Sequence, residues 1–137
     1  MLTKFSEAIM EKEIAGAIEN RVDAIQELCH GIALEGGWWT DLTTNEPLKR
    51  NKGEQLMLVV TEIAEAMEGV RKGINDDHLP HRKMEEVELA DAIIRIFDYA
   101  GGHGLDVGGA LVEKLQYNLQ RQDHKISERK KDGGKKS

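Results

Sequence analysis

Apolar residues recur along this 137-residue chain with the spacing of helices, not of strands. Ile18, Val22, Ile25, Cys29 and Ile32 follow a 4-3-4-3 rhythm that Phe5, Ile9 and Ile14 extend upstream. The pattern predicts one long amphipathic helix over 3–34, bent near Gly16. Gly36-Gly37-Trp38-Trp39-Thr40 breaks it, and Asn45, Pro47 and Gly53 keep 35–52 a loop. A second helix is expected to open at a capping box of Asn51 and Glu54 and to close at Gly73, with Leu56, Val59, Val60, Ile63, Met67 and Val70 as its buried stripe. Pro80 suits the first turn of a third helix, whose inner face is Val87, Ala90, Ile93, Ile94 and Phe97 and which Gly101-Gly102-His103-Gly104 ends. Asp106 caps a fourth, running to about 124, with Leu111, Leu115 and Leu119 on one side and Gly108-Gly109 allowing close approach at its start. Four helices with short connections predict an all-α, four-helix-bundle-type protomer completed by oligomerisation.

Composition narrows this further. A chain of this size suits one core. Residues 1–124 are expected to form the helical domain, and 125–137 a mobile tail too poor in apolar residues to pack. A single cysteine, Cys29, excludes an internal disulfide and a thiolate zinc cluster, and falls on the apolar stripe as a small core residue. No apolar run approaches the roughly 20 residues of a membrane span, and the glutamates of 1–15 are unlike a signal peptide, so a cytoplasmic protein without a membrane partner is expected. The net charge of -6 argues against a stable nucleic-acid complex. It is unevenly spread: 125–137 hold six basic residues and two acidic ones, leaving an acidic body with a short basic end.

Some of that acidity is patterned. Glu62-Ile63-Ala64-Glu65 and Glu88-Leu89-Ala90-Asp91 each place two carboxylates at i, i+3, on adjacent turns of one helix face. Both pairs flank an apolar stripe, so helices packed side by side would bring four carboxylates to the edge of the core. Acidic pairs on helices are usually solvated decoration; two of them on consecutive helices, at the border of buried faces, call for a neutralising cation. All-oxygen ligands fit a hard divalent ion, Mg²⁺ first and Mn²⁺ as its substitute, and Mg²⁺ commonly shares such sites with phosphates. Lys114, Asn118 and Arg121 stand at i, i+4 and i+7 of the fourth helix, a row able to grip phosphate oxygens.

The order Glu62-x-x-Glu65, Glu88-x-x-Asp91, Lys114-x-x-x-Asn118-x-x-Arg121 resembles that of the MazG-type all-α nucleoside triphosphate pyrophosphohydrolases. Gly37-Trp38-Trp39, Thr61 to Ala66, Glu88 to Ile96, Tyr117-Asn118 and the Gly133-Gly134-Lys135-Lys136 ending add to the likeness, which spans about 30–124. It implies cleavage of a ribo- or deoxyribonucleoside triphosphate between the α and β phosphates, giving a monophosphate and pyrophosphate. Glu62, Glu65, Glu88 and Asp91 would hold the metal, Glu62 or Glu65 would serve as general base, and Lys114, Asn118 and Arg121 would hold the outgoing phosphates. It also implies a homodimer or homotetramer. The alternatives are an idle nucleotide-binding module, or a hydrolase of a non-canonical nucleotide or an alarmone.

Trp38 and Trp39 are the candidates for the base, one stacking on it and the other closing the core. Glu27-x-x-His30 occurs once, whereas di-iron bundles use two such motifs, so His30 is read as structural or pocket-lining. His78 and His81 are expected in solvent, and Arg71 and Lys72 complement the C-terminal dipole of the second helix.

Overall fold

Side-chain caps at Asn51 and Asp106 open two of the helices in the structure, a computed structural model that describes residues 4–136. Its helices are α1 (Lys4–Met10), α2 (Lys12–Glu35), α3 (Lys52–Lys72), α4 (Met84–Gly102), α5 (Val107–Gln120) and the short α6 (Ile126–Arg129), with a 3₁₀ turn over Gln122–His124. Pairing of strand type among the described residues is confined to two isolated bridges, so the protein is all-α. No helix among them is long and apolar enough to cross a membrane. The first helix breaks at Glu11, where the expected bend was at Gly16; Gly16 stays helical, a lone helical glycine costing only about 1 kcal/mol.

The chain divides into two compact units, one made of the described residues up to Ala24 with those from Asp106 onward, the other of Ile25–Leu105; α2 contributes to each. In the first, Ile9, Ala15 and Val112 form a small core against which Ile18 and Leu119 pack, and Gln116 Nε2 donates to the Ile9 carbonyl at 2.9 Å. Gly108 has no room for a side chain, since a Cβ there would meet the Asp23 carboxylate and, at 3.1 Å, the Glu19 carbonyl of α2. This close approach turns Gly108, Gly109 and Val112 inward, and Leu111 and Leu115, two of the leucines that share one side of the helix, are exposed. The helix also ends earlier than 124. Arg121 takes extended backbone angles after Gln120 and carries the chain into the 3₁₀ turn. The tail holds the single turn of α6, and the Arg129 guanidinium donates to the carbonyls of Lys135 and Lys136.

The second unit is built on α3 and α4. Asn51 caps α3, its side-chain oxygen accepting from the Glu54 N–H at 3.1 Å, and Gly73 closes the helix at φ +63° with its N–H on the Gly69 and Val70 carbonyls. Pro80 does not open the next helix. Residues 74–83 form a tight turn in which the buried Asp76 carboxylate accepts from the N–H groups of His78 and Leu79, Asn75 Nδ2 donates to the Pro80 carbonyl and Met84 N–H donates to the Ile74 carbonyl. These bonds postpone the helix to Met84. His78 and His81 are exposed on this turn.

Packing between α3 and α4 is antiparallel and uses their smallest residues. Ala66 and Gly69 are buried on α3, Ala92 and Ala100 on α4, and a Cβ on Gly69 would lie 2.9 Å from Met84 Cβ and 3.1 Å from the Glu85 nitrogen. The stripe expected to be buried, Leu56, Val60, Ile63, Met67 and Val70, is exposed, as are Ile93 and Ile94; Val59 is half-buried. Small side chains let the helix axes approach, and the larger apolar ones are left on the outside. Two glycine substitutions separate these effects. Gly31→Ala, in α2 with nothing within 4 Å of the added Cβ, should stabilise the protein by about 0.5–1 kcal/mol, whereas Gly69→Ala should lose that gain and about 1–2 kcal/mol more to the clash with Met84 and Glu85, read as melting shifts of opposite sign.

Candidate metal centre

The close approach of α3 and α4 brings acidic side chains together. Glu62 and Glu65 sit one turn apart on α3, Glu88 faces them from α4, and the three can each offer a carboxylate oxygen with all three oxygens within 4.8 Å of one another. Glu62 and Glu88 are each only 7% exposed, while Glu65 opens to solvent. Asp91, expected as the fourth ligand, stands outside this trio, one turn beyond Glu88 and more exposed, yet near enough for its charge to act on Glu88. Burial first, then the charge of Glu65 and a hydrogen bond and charge from Glu62, push the Glu88 carboxyl up to about 7. Burial and the charge of Glu62 also raise Asp91, against the opposing pull of Arg95.

Among the described residues, one basic side chain pairs with the cluster. Arg95, one turn past Asp91 on α4, donates from Nε to Glu62 Oε1 at 2.5 Å. The donor set, three carboxylates that repel one another in a largely buried site with one monovalent partner, has the chemistry that suits a hard divalent cation.

Beside it lies a cavity of about 510 Å³ whose walls include Leu58, Asp91, Ile94, Arg95, Asp98 and Trp38. The two tryptophans have different surroundings. Trp38 is 68% exposed on that cavity, its carbonyl held by Arg50 Nη1 at 2.6 Å. Trp39 is wedged: its Nε1 donates to Asp98 Oδ1 at 2.7 Å, its ring meets His30 and His103 edge-on, Arg50 covers its face, and it fills the place a side chain on Gly102 would need. His30 Nδ1 shares the same Asp98 oxygen at 2.9 Å, and His103 Nε2 pairs with Gln55 Oε1 at 2.8 Å. His30 is thus structural and pocket-lining at once, since with Trp39, His103, Lys49, Arg50 and Lys52 it borders a second cavity of about 730 Å³. Burial, then the charges of Lys52 and Arg50, lower the His103 pKa. Cys29 is half-buried on the wall of the smaller cavity, its thiol pKa raised by burial and then by Asp98.

Lys114, Asn118 and Arg121 belong to the other unit. Lys114 Nζ lies 4.8 Å from the centre of the Tyr117 ring, and Asn118 Oδ1 is buried without a hydrogen bond to any described residue. Arg121, just past the end of α5, is held through Nε and Nη2 by the Asp123 carboxylate, so the expected row of three on one helix is a row of two. Arg71 and Lys72 both pair with Glu68 on the exposed end of α3.

Asp98 and Arg95 had no assigned role in the sequence. The signal was there: Glu88, Asp91, Arg95 and Asp98 follow one another at three, four and three residues, a continuous polar edge on a helix whose other positions are mostly apolar. Comparison of the chain with protein families, with curated proteins and with solved structures finds no match.

The raised Glu88 pKa has a definite sign for stability. The folded protein holds this proton more tightly than the unfolded chain, whose ordinary value is 4.5, so the contribution is complete below that pH and is lost as pH rises through about 7. With divalent cations chelated, stability measured by denaturant titration should fall between pH 5 and pH 8, and Glu88→Gln should flatten that fall by about 1–3 kcal/mol.

Proposed function

We propose that the protein is a nucleoside triphosphate pyrophosphohydrolase dependent on Mg²⁺, or on Mn²⁺ in its place, releasing a nucleoside monophosphate and pyrophosphate. The observation that carries this reading is the convergence of Glu62, Glu65 and Glu88 from two helices onto one small volume. These three would hold the metal, with Asp91 beside them. The ion, when bound, offsets the charge that builds on the triphosphate as pyrophosphate leaves and lowers the pKa of water.

The chain's own groups supply the rest. Glu65, the most open of the three, or the buried Glu62 would take the proton from an attacking water. Trp38 offers a free indole face on the adjoining cavity, suited to stacking on a nucleobase, while Trp39 is committed to Asp98 and Gly102. Lys114, Asn118 and Arg121 retain phosphate binding as a proposal of its own, resting on the sequence resemblance.

Pyrophosphate release from a panel of ribo- and deoxyribonucleoside triphosphates tests the reading. Activity should appear with Mg²⁺ or Mn²⁺, vanish with chelator, and drop by about 10²–10⁴ in Glu62→Gln and Glu88→Gln. Nucleotide binding without pyrophosphate release would identify an idle binding module instead, and activity indifferent to these substitutions would end the proposal.

The same reading makes the protein a homodimer or homotetramer. Leu56, Met57, Val60, Ile63, Met67 and Val70 expose apolar side chains along much of α3, more than a stable monomer usually leaves to water. Sedimentation should give a species of at least two chains, and Val60→Glu combined with Met67→Lys should shift it to the monomer.

A further inference from the structure

We propose that Arg95 is a resident counter-ion of the carboxylate cluster, that a divalent cation displaces it from Glu62, and that the freed guanidinium then holds phosphate in the cavity beside Trp38. The second half rests on the triphosphate chemistry proposed above; the first half does not.

The two ends of this ion pair differ in freedom. Glu62 is held in the contact between α3 and α4, its side chain 9% exposed, whereas the Arg95 side chain is 43% exposed on the cavity wall. Contact is through Nε alone, and the four Nη hydrogens make no hydrogen bond with any described residue. A planar guanidinium normally meets a carboxylate with two parallel bonds, as Arg71 meets Glu68 and Arg121 meets Asp123 in this protein. Arg95 makes a single bond to Glu62 and leaves its other donors without a hydrogen bond to any described residue.

Charge explains the arrangement. Three carboxylates within 4.8 Å cannot all stay ionised without a cation, and Arg95 is the basic side chain that reaches them from their own helices. One delocalised positive charge at the rim neutralises only part of the cluster. A divalent ion among the oxygens would do so more completely and would repel the guanidinium. Release leaves Arg95 where it already lines the cavity, as Trp38 and Arg50 also do. Arg50 is tied to the Trp38 carbonyl and stacked on Trp39, so Arg95 is the arginine of this cavity that is able to turn toward a ligand. In metal-free protein it keeps the carboxylates apart from bulk cations, and in the loaded protein it becomes a group for positioning substrate.

The test needs no turnover. Mn²⁺ binding to the full chain, followed by the loss of the free-ion paramagnetic resonance signal at pH 8, should be about three- to tenfold tighter in Arg95→Gln than in the wild type, because the competing charge is gone. Arg95→Lys, which keeps the charge, should stay within about twofold of the wild type. With Mn²⁺ saturating, an α,β-methylene nucleoside triphosphate, which cannot be cleaved, should bind Arg95→Gln at least tenfold more weakly. Circular dichroism and melting of both variants establish that they fold. Mn²⁺ affinity unchanged or weakened in folded Arg95→Gln overturns the counter-ion role. Tighter Mn²⁺ with unchanged analogue binding overturns the phosphate role alone. Absence of pyrophosphate release from every triphosphate, with the Mn²⁺ shift intact, would sink the proposed activity and leave the counter-ion in place.

Discussion

Mutual repulsion among Glu62, Glu65 and Glu88 is the constraint around which the Ile25–Leu105 unit is arranged. The fold forces them together because Ala66, Gly69 and Ala92 let α3 and α4 approach closely, and the carboxylates on the same faces are carried along. Glu88 responds by holding its proton, Glu62 by taking Arg95, and Glu65 by remaining in water. Each is a different partial answer to one electrostatic cost, and two of them, the proton of Glu88 and the guanidinium of Arg95, both involve Glu62. A site in which all three answers are partial is poised for a stronger counter-charge.

The surroundings are built more rigidly than the cluster itself. Asp98 receives Trp39 Nε1 and His30 Nδ1 on one oxygen, so the loop that carries Trp39, the C-terminal half of α2 and α4 share a single acceptor. Gly102 admits the indole, and Arg50 lies across its face while reaching back to the Trp38 carbonyl. The consequence is that Trp38 is positioned through its backbone while its ring is left free. Within the loop, Asp41 accepts from the N–H groups of Thr43 and Thr44, and Leu48 N–H returns to the Trp39 carbonyl, so an irregular segment is ordered by its own hydrogen bonds.

Much of this was legible in the sequence, for reasons that also mark where legibility stopped. The ends of α3 could be read because Asn51 with Glu54, and Gly73, are local signals that act within a turn of themselves. Three members of the acidic cluster could be read because i, i+3 spacing is a property of one helix and the turn between α3 and α4 is short. The start of α4 could not, since Asp76 organises 74–83 through backbone bonds that have no periodic signature. The buried face of α3 was misjudged for a related reason. Periodicity finds an apolar stripe but not which face a neighbour uses, and here the neighbour chose Ala66 and Gly69 over Leu56, Val60 and Met67. Arg121 left its expected row because α5 ended at Gln120, where Asp123 offered it a nearer carboxylate.

The acidic cluster has a consequence outside chemistry. A group of anions confined by packing is stored strain in the metal-free fold, and whatever cation relieves it binds the native chain and not the unfolded one. By mass action such a ligand adds stability in proportion to the logarithm of its free concentration once it exceeds its dissociation constant. The lifetime of the folded chain would then track the supply of divalent cation, and molecules that failed to load would be the ones that open first and meet proteases soonest.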